Sequence, residues 1–379
     1  MIVSLDLGAT EFRSLRQQPN CLVGRRNLAV YTALPDRDAE QSLLSQMCIP
    51  WIRCEDSLIV LGTAAIDLCR SMRTPCIPLL VDGHIPSEDP LGRQLISTLI
   101  DTLLPDAGSP TPCGLVSRQG VDQECIDDLR FYAQVLRLKG YQPYPVTTSE
   151  ALSLAELGQH AFSGMVLDWG GDGASLAFYR TGQPLAETLM LSGGRQIDQR
   201  MATIRDRYRW GSEGERYLDF LAVEAWKQSL GVRIDRPRND DEKLLANLIR
   251  DQLKSLCYRF AQALVSQTAA TPVEAPQVLV CGGCGTRIAG FVEILSEVLD
   301  EVHLPIPVAE IQVGPLDPFR TARGALIGVQ LESASVSIRE WPDLPGSLSR
   351  RIRGVRRATR IAGSSLTRHT ASNAQGKAR

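Results

Sequence analysis

Apolar runs of strand length alternate with amphipathic stretches along most of the chain. The run at 113–117 predicts a buried strand, and the flanking stretches carry apolar residues at helical spacing. A helix over 90–104 is indicated by leucines four residues apart, with Pro90 in its first turn, and a helix over 121–139 ends before Gly140. This alternation favours βαβ units and a mixed, largely parallel sheet in the first half.

The second half begins with strands and then becomes helical. A hairpin over 165–180 and a strand at 185–191 are predicted from apolar runs around a cluster of glycines. The elements predicted after them are helices over 195–208, 213–230 and 240–265, a strand at 277–281, a helix over 286–299, a strand at 307–313 and a helix over 319–331. The whole pattern predicts an α/β protein.

The same pattern divides the chain into two domains and a tail. We expect a first domain over 1–149, with a small inserted subdomain near 20–80 where prolines interrupt the strands. A second domain is expected over 150–332, with a helical insertion near 195–268. Residues 333–379 combine proline, serine and arginine without periodicity, which is typical of a disordered tail.

Each half contains an apolar strand that ends in an aspartate followed by glycines and small residues. The two stretches are Ile2-Val-Ser-Leu-Asp6-Leu-Gly8-Ala9-Thr10 and Met165-Val-Leu-Asp168-Trp-Gly170-Gly171-Asp172-Gly173. Glycines let main-chain N–H groups approach an anion closely. If the halves face one another, the two carboxylates can hold a hydrated Mg²⁺ while both turns donate to a polyphosphate. The repeat therefore predicts phosphoryl-transfer chemistry in a cleft.

Composition is that of a soluble globular protein. The 379 residues are 44% hydrophobic and 22% charged. A basic leader followed by an apolar core is absent, and no run reaches the roughly 18 apolar residues of a membrane span, so we expect a cytoplasmic protein. The ten cysteines have no regular spacing, which favours reduced core thiols over a disulfide framework.

Charge is distributed unevenly between the body and the tail. Residues 349–379 carry nine Lys and Arg and no acid, so the preceding chain has an excess of acids. The tail could contact anionic membrane, nucleic acid or the acidic body of another copy, and no specific nucleic-acid motif is present. Spacing within 350–361 also fits a short basic amphipathic helix at a membrane surface, with a solvated disordered tail as the alternative.

The motifs resemble those of the actin-like ATPases, and within that superfamily those of the MreB-like bacterial actins. The matching segments are Asp6 to Arg13 (first phosphate motif), Ser149 to Gly158 (first connecting helix), Asp168 to Gly173 (second phosphate motif), Glu224 to Lys227 (ribose pair), Val280 to Gly290 (adenosine motif) and Asp317 to Gly324 (second connecting helix). They follow the family order over about residues 1–332. The resemblance implies two duplicated ribonuclease-H-like domains that flank a nucleotide cleft.

The resemblance also implies roles for individual residues. Asp6 and Asp168 would hold Mg²⁺, and Glu150 would orient the attacking water as the catalytic residue. The residues implied in ATP binding are Gly8, Ala9, Thr10, Arg13, Gly170, Gly171, Asp172, Gly173, Glu224, Lys227, Gly282, Gly283 and Cys284. The function implied is a cytoskeletal ATPase that binds ATP with Mg²⁺ and self-associates into filaments.

Two departures from the MreB-like pattern bear on hydrolysis. Gly173 and Ala174 stand where those proteins usually have threonines, so hydroxyl contacts to phosphate are missing. Asp172 adds a negative charge beside them. Slow hydrolysis, or nucleotide binding without turnover, is therefore expected.

Proteins with other functions contain parts of these motifs. A small-molecule kinase or a pilus-assembly or chaperone-like ATPase acting through a partner would have the same fold. Cys281-Gly-Gly-Cys284 has the spacing of redox and metal sites, although no second ligand pair completes a zinc site. Gly283-Cys-Gly285 also suits a dinucleotide site, but too little chain follows it for a complete nucleotide-binding half.

Overall fold

The computed structural model describes residues 1–86, 89–117, 123–211, 214–268, 275–314 and 317–335. The strands are β1 (Ile2–Leu7), β2 (Glu11–Gln17), β3 (Leu22–Leu28), β4 (Val30–Pro35), β5 (Ile52–Cys54), β6 (Ser57–Leu61), β7 (Ile77–Pro78), β8 (Thr111–Ser117), β9 (Tyr141–Thr147), β10 (Gly164–Trp169), β11 (Ala174–Arg180), β12 (Gln183–Met190), β13 (Tyr208–Trp210), β14 (Arg216–Leu218), β15 (Gln277–Gly282) and β16 (Val308–Val313). The helices are α1 (Asp38–Gln46), α2 (Thr63–Met72), α3 (Pro90–Leu103), α4 (Gln123–Leu138), α5 (Thr148–Glu156), α6 (Gly194–Ile204), α7 (Phe220–Lys227), α8 (Asp240–Thr268), α9 (Phe291–Val302) and α10 (Arg320–Ser335). The expected tail lies outside the described residues from position 336 onward.

Each half is built on a five-stranded sheet, and the two sheets have the same topology. The strand order is β3-β2-β1-β8-β9 in the first sheet and β12-β11-β10-β15-β16 in the second. In each sheet the first three strands in sequence are antiparallel, and the last two extend the sheet in parallel from the first strand. The duplication predicted from the acidic hairpins is therefore confirmed, although the sheets are less parallel than expected.

A smaller sheet follows β3 in the first half. It has the order β5-β6-β4-β7 and packs with α1 and α2 around a core of its own, which includes Leu34, Leu44, Leu58 and Leu68. β3 itself pairs with β2 along its full length and so belongs to the large sheet. The small unit thus begins at β4.

The predictions of two successive helices in the second half are wrong at the end of the first helix and at the start of the second. The helix predicted over 195–208 ends at Ile204, and the helix predicted over 213–230 begins only at Phe220. Between them β13 and β14 form an antiparallel hairpin. Asp206 has a φ of 52°, a left-handed conformation that stops the helix. The aromatic residues around it favour strand over helix.

The predicted start of α3 and the predicted end of α4 are confirmed, whereas the predicted start of α4 at 121 lies outside the described residues. Asp89 caps α3 by accepting a hydrogen bond from the Leu91 amide, and Pro90 occupies the first turn. Gly140 ends α4 with a φ of 84°, which glycine adopts without strain. Among the described helices, none has both the length and the apolar character to cross a bilayer.

α5 and α10 cross between the two large sheets. α10 packs on β1 and β8 as well as on α5. A Cβ at Gly324 would overlap the carbonyl of Ala151, and one at Gly114 would lie 2.7 Å from the carbonyl oxygen of Ala325. The close packing of these backbones fixes the positions of the N-terminal ends of both helices, which lie beside the cleft between the two acidic hairpins.

Candidate functional site

The turns of the two acidic hairpins line one cleft of about 150 Å³. The residues predicted to bind nucleotide or metal that line it are Asp6, Gly8, Ala9, Thr10, Arg13, Asp168, Gly170, Gly171, Asp172, Gly173, Gly283 and Cys284. Arg13 is in β2, and the other residues lie at or just after the ends of three strands, β1, β10 and β15. Parallel pairing places the ends of β10 and β15 side by side, with Asp168 opposite Gly282. The fold therefore collects most of the predicted residues in one place.

Asp6 lies close enough to Asp168 in the cleft for its charge to affect the Asp168 carboxyl group. Arg13 Nη1 donates to Asp6 Oδ2 over 3.1 Å, and Arg13 is also held by Glu11. Burial raises the pKa of Asp6, while Arg13 opposes the shift. Burial raises the pKa of Asp168 to about 7, and the negative charge of Asp6 adds to that rise. The two carboxylates thus form a site whose anionic state a cation would stabilise.

The donor set fits magnesium. Mg²⁺ is usually bound by one or two carboxylates together with substrate phosphates and water. Within the described residues no group of three or more His, Cys, Asp or Glu side chains forms a metal site. Asp6 and Asp168 could therefore hold Mg²⁺ in company with phosphate oxygens, and a self-contained protein cage is not present in that part of the chain.

The two glycine turns touch across the cleft. A Cβ at Gly171 would lie 2.7 Å from Cγ2 of Thr10, which is closer than real side chains approach. The turn itself is closed by a hydrogen bond from the Gly170 amide to the Gly173 carbonyl at 2.8 Å. Glycine at 171 is thus required by contact with the opposite loop, as well as by any anion that the amides bind.

Asp172 is paired with Arg195, a residue that the sequence analysis did not identify. Arg195 Nη1 donates to Asp172 Oδ2 at 2.9 Å and to the Leu80 carbonyl at 3.1 Å, while Nη2 donates to the Ala9 carbonyl at 2.8 Å. The extra negative charge expected at Asp172 is therefore balanced by a buried guanidinium. The run Ser192-Gly-Gly-Arg195 directly after a strand was the available signal.

The glycine turn after β15 closes the opposite wall. Gly283 has a φ of 90° and lies against the backbone of Trp169, and both Gly283 and Cys284 line the cleft. Gly282 does not line it and packs against Leu152. Cys281 is buried in the strand, where burial raises its pKa to about 12. The two cysteines thus occupy different environments, and no metal cluster forms around them among the described residues.

Lys227 and Glu224 do not line this cleft. Lys227 Nζ donates to both carboxylate oxygens of Asp198 at 2.7 Å and approaches the Gly194 carbonyl at 3.4 Å. Glu224 lines a second cavity of about 50 Å³, which Thr10 and Arg195 also line. Both members of the implied ribose pair therefore lie outside the set of residues that line the main cleft.

Glu150 also lies outside the set of residues that line the cleft. It is in the first turn of α5, where its amide donates to the capping hydroxyl of Thr147 at 3.1 Å. Its neighbour Ser149 lines the cleft together with Glu187 of β12, and Ser149 Oγ donates to Glu187 Oε1 at 2.5 Å. Sequence analysis missed both residues, although an acid within an otherwise apolar strand was a usable signal.

Comparison with known proteins gives a family and a set of structural neighbours. A family model described as Volactin matches residues 1–329. A search of curated proteins gives no match. The crystal structure of MreB5 of Spiroplasma citri bound to ADP is similar with a TM-score of 0.59 and 15% identity, over 86% of this chain and 95% of that one. The same protein bound to AMPPNP has a TM-score of 0.62 and 15% identity, over 88% and 97%.

A filament structure gives a similar result. The MamK double helical filament has a TM-score of 0.63 and 15% identity, over 90% of this chain and 99% of that one. At such low identity these likenesses show the fold alone. The actin-like ATPase fold implied by the motifs is confirmed.

Proposed function

The chain belongs to the volactin family and has the actin-like fold, and we propose that it binds ATP with Mg²⁺ in the cleft and assembles into filaments. The observation that carries the proposal is the approach of Asp6 and Asp168 at the ends of two equivalent strands, each followed by a glycine turn. Exposed main-chain amides of such turns suit phosphates, and paired carboxylates suit the accompanying cation.

In this proposal the residues divide by the part of the nucleotide that they contact. Gly8 to Thr10 and Gly170 to Gly173 would surround the phosphates, and Arg13 would add positive charge beside Asp6. Mg²⁺, held by Asp6 and Asp168, would neutralise phosphate charge when bound. Gly283 and Cys284 would receive the adenosine, and Gly282 stays a proposed contact that would have to be reached past its packing against Leu152. Glu224 and Lys227 stay our proposed ribose contacts, and Lys227 would reach the ribose only by loosening its bonds to Asp198.

Nucleotide binding can be tested directly on the full chain. A fluorescent N-methylanthraniloyl derivative of ATP should bind in the presence of Mg²⁺, and excess unlabelled ATP should displace it. MreB5 structures with ADP and AMPPNP motivate this test, because they have the same fold. A chain that is folded by circular dichroism and binds neither compound would contradict the proposal.

Self-association is proposed because the fold is shared with a MamK double helical filament. The protein should pellet in an ultracentrifuge with ATP and Mg²⁺, and electron micrographs of the pellet should contain filaments. Monomers under all nucleotide conditions would favour an actin-like protein that acts through a partner or on a small molecule.

Hydrolysis of ATP is part of the proposal and is expected to be slow. Gly173 and Ala174 offer no hydroxyl groups to the phosphates, so fewer groups stabilise charge as it develops in the transition state. A phosphate-release assay run under conditions that give filaments measures the turnover.

The basic tail is proposed to contact an anionic partner, either a membrane surface or the acidic body of another copy. Removing residues 349–379 should abolish sedimentation with liposomes that contain phosphatidylserine, if lipid is the partner. Unchanged sedimentation would exclude the membrane. Reduced pelleting without liposomes would instead assign the tail to filament contacts.

A further inference from the structure

Glu187 contributes a carboxylate to the cleft that the nucleotide contacts proposed above do not use. Asp168 in β10 lies opposite Ser175 in β11, and Ser175 lies opposite Leu189 in β12. Opposed residues of antiparallel strands share a face of the sheet, and so do alternate residues of one strand. Glu187 is therefore on the same face as Asp168, two strands away, and it lines the same cleft.

A directed chain of hydrogen bonds holds this carboxylate in place. The Tyr179 hydroxyl donates to Ser149 Oγ at 3.2 Å, and Ser149 Oγ donates to Glu187 Oε1 at 2.5 Å. Tyr179 and Ser149 are each no more than 1% exposed. A short bond from a hydroxyl to a carboxylate is among the stronger protein hydrogen bonds. Buried groups thus fix the orientation of Glu187, whereas its position lets it meet a molecule in the cleft.

Glu187 has the acceptor capacity to orient a water molecule. An ionised carboxylate offers about four acceptor positions, and the Ser149 hydroxyl is one donor to them. Glu150 is placed differently. It lies one residue beyond Ser149 at the start of α5, in a first turn where the helix dipole stabilises an acid, and it does not line the cleft.

We propose that Glu187, positioned by Ser149, accepts the hydrogen bond that orients the attacking water, the role that the resemblance assigns to Glu150. The inference rests on the proposed function, since it requires ATP in the cleft. The water oxygen forms a bond to the terminal phosphorus, and the bond from that phosphorus to the bridging oxygen breaks. The bridging oxygen keeps the electron pair and leaves on ADP, and the proton lost by the water ends on the phosphate product or in solvent.

The same substitution at two nearby positions separates these roles. Glu187→Gln keeps the size of the side chain and an acceptor for Ser149, but it replaces the carboxylate with an amide. Single-turnover hydrolysis of ATP by E187Q should fall by at least about 100-fold. Its affinity for the fluorescent ATP derivative should stay within about threefold of wild type. Glu150→Gln in the same assays shows which of the two carboxylates hydrolysis depends on. Glu55→Gln, a change at an exposed residue outside the cleft, is the matched control and should stay within about threefold of wild type in both measurements.

Ser149 provides an independent test that does not alter the carboxylate. Ser149→Ala should lower the hydrolysis rate by about tenfold without a matching loss of affinity, because Glu187 loses a donor that orients it. Ser149→Thr keeps a hydroxyl and should recover part of the rate. A merely structural role would reduce thermal stability and affinity together, and the threonine would not restore the rate selectively.

Each remaining outcome overturns the inference in a recognisable way. Loss of hydrolysis in E150Q with near-normal hydrolysis in E187Q would return the role to Glu150. Loss of nucleotide affinity and hydrolysis together in a folded E187Q would make Glu187 a binding or structural residue.

If E187Q does not fold, equal hydrolysis rates for S149A and wild type would overturn the inference. A wild-type chain that binds ATP without turnover also overturns it, whereas one that binds no ATP contradicts the proposed function itself.

Discussion

Arg195 donates a hydrogen bond from Nη1 to Oδ2 of Asp172 over 2.9 Å, and both side chains are buried. The same guanidinium binds the carbonyl oxygens of Ala9 and Leu80. One side chain therefore connects both glycine turns of the cleft with the segment that follows the small sheet. We expect this connection to determine how closely the two turns approach each other.

Replacing Arg195 with Met should lower the free energy of unfolding by about 3 kcal/mol, because it leaves the buried Asp172 carboxylate without its ionic partner. Asp172→Ala should cost less, since arginine keeps its two carbonyl contacts. The double variant R195M/D172A should be more stable than the sum of the single effects predicts, with a coupling of at least about 1 kcal/mol. Urea denaturation of the four proteins measures this, and additive effects would show that the ion pair is not coupled.

The Asp198–Lys227 pair should make stability depend on pH. Burial raises the pKa of Asp198 to about 7, although the charge of Lys227 lowers it. In an unfolded chain an aspartate has a pKa of about 3.9. Between these values the folded protein keeps a proton that the unfolded chain releases, so the contribution of Asp198 to the free energy of unfolding falls as pH rises.

Lys227→Met should extend this loss of stability above pH 7. Without the positive charge, the pKa of Asp198 rises further. At alkaline pH the folded variant must therefore either bury an unpaired carboxylate or protonate Asp198 where protons are scarce. We expect destabilisation of about 3 kcal/mol at pH 8.5 and clearly less at pH 5.5, measured by urea denaturation. The double variant D198N/K227M should be less stable than wild type by an amount that varies much less with pH. An equal destabilisation by K227M at the two pH values would contradict the raised pKa of Asp198.

Gly171→Ala should weaken nucleotide binding, because the added methyl group would overlap Thr10 and separate the two turns. We expect about a tenfold loss of affinity for the fluorescent ATP derivative, corresponding to about 1.4 kcal/mol. Gly158→Ala is the matched control, since a Cβ there meets nothing within 4 Å. Equal affinities for G171A and G158A would indicate that the turns can separate without affecting the site.

Contiguous motifs allowed much of the fold and part of the cleft to be predicted from the sequence. The turn after Asp6 and the turn after Asp168 each combine a strand end with glycines within a few residues, so the local sequence is enough to identify both turns. Arg195 meets Ala9 and Leu80 only after the chain has folded, and no local spacing predicts that meeting. Ser149 and Glu187 were missed for the same reason, since their contact joins a helix start to a sheet edge.

Removing the metal should affect wild type and the aspartate variants differently. If Asp6 and Asp168 hold Mg²⁺ beside the phosphates, EDTA should weaken binding of the fluorescent ATP derivative to wild type by at least about tenfold. Asp168→Asn should bind weakly with or without EDTA, because its ligand to the ion is already absent. Asp67→Asn, a change on an exposed face of α2, should behave as wild type. Titrations of the three proteins with and without EDTA measure these differences, and an equal effect of EDTA on D168N and wild type would place the cation elsewhere.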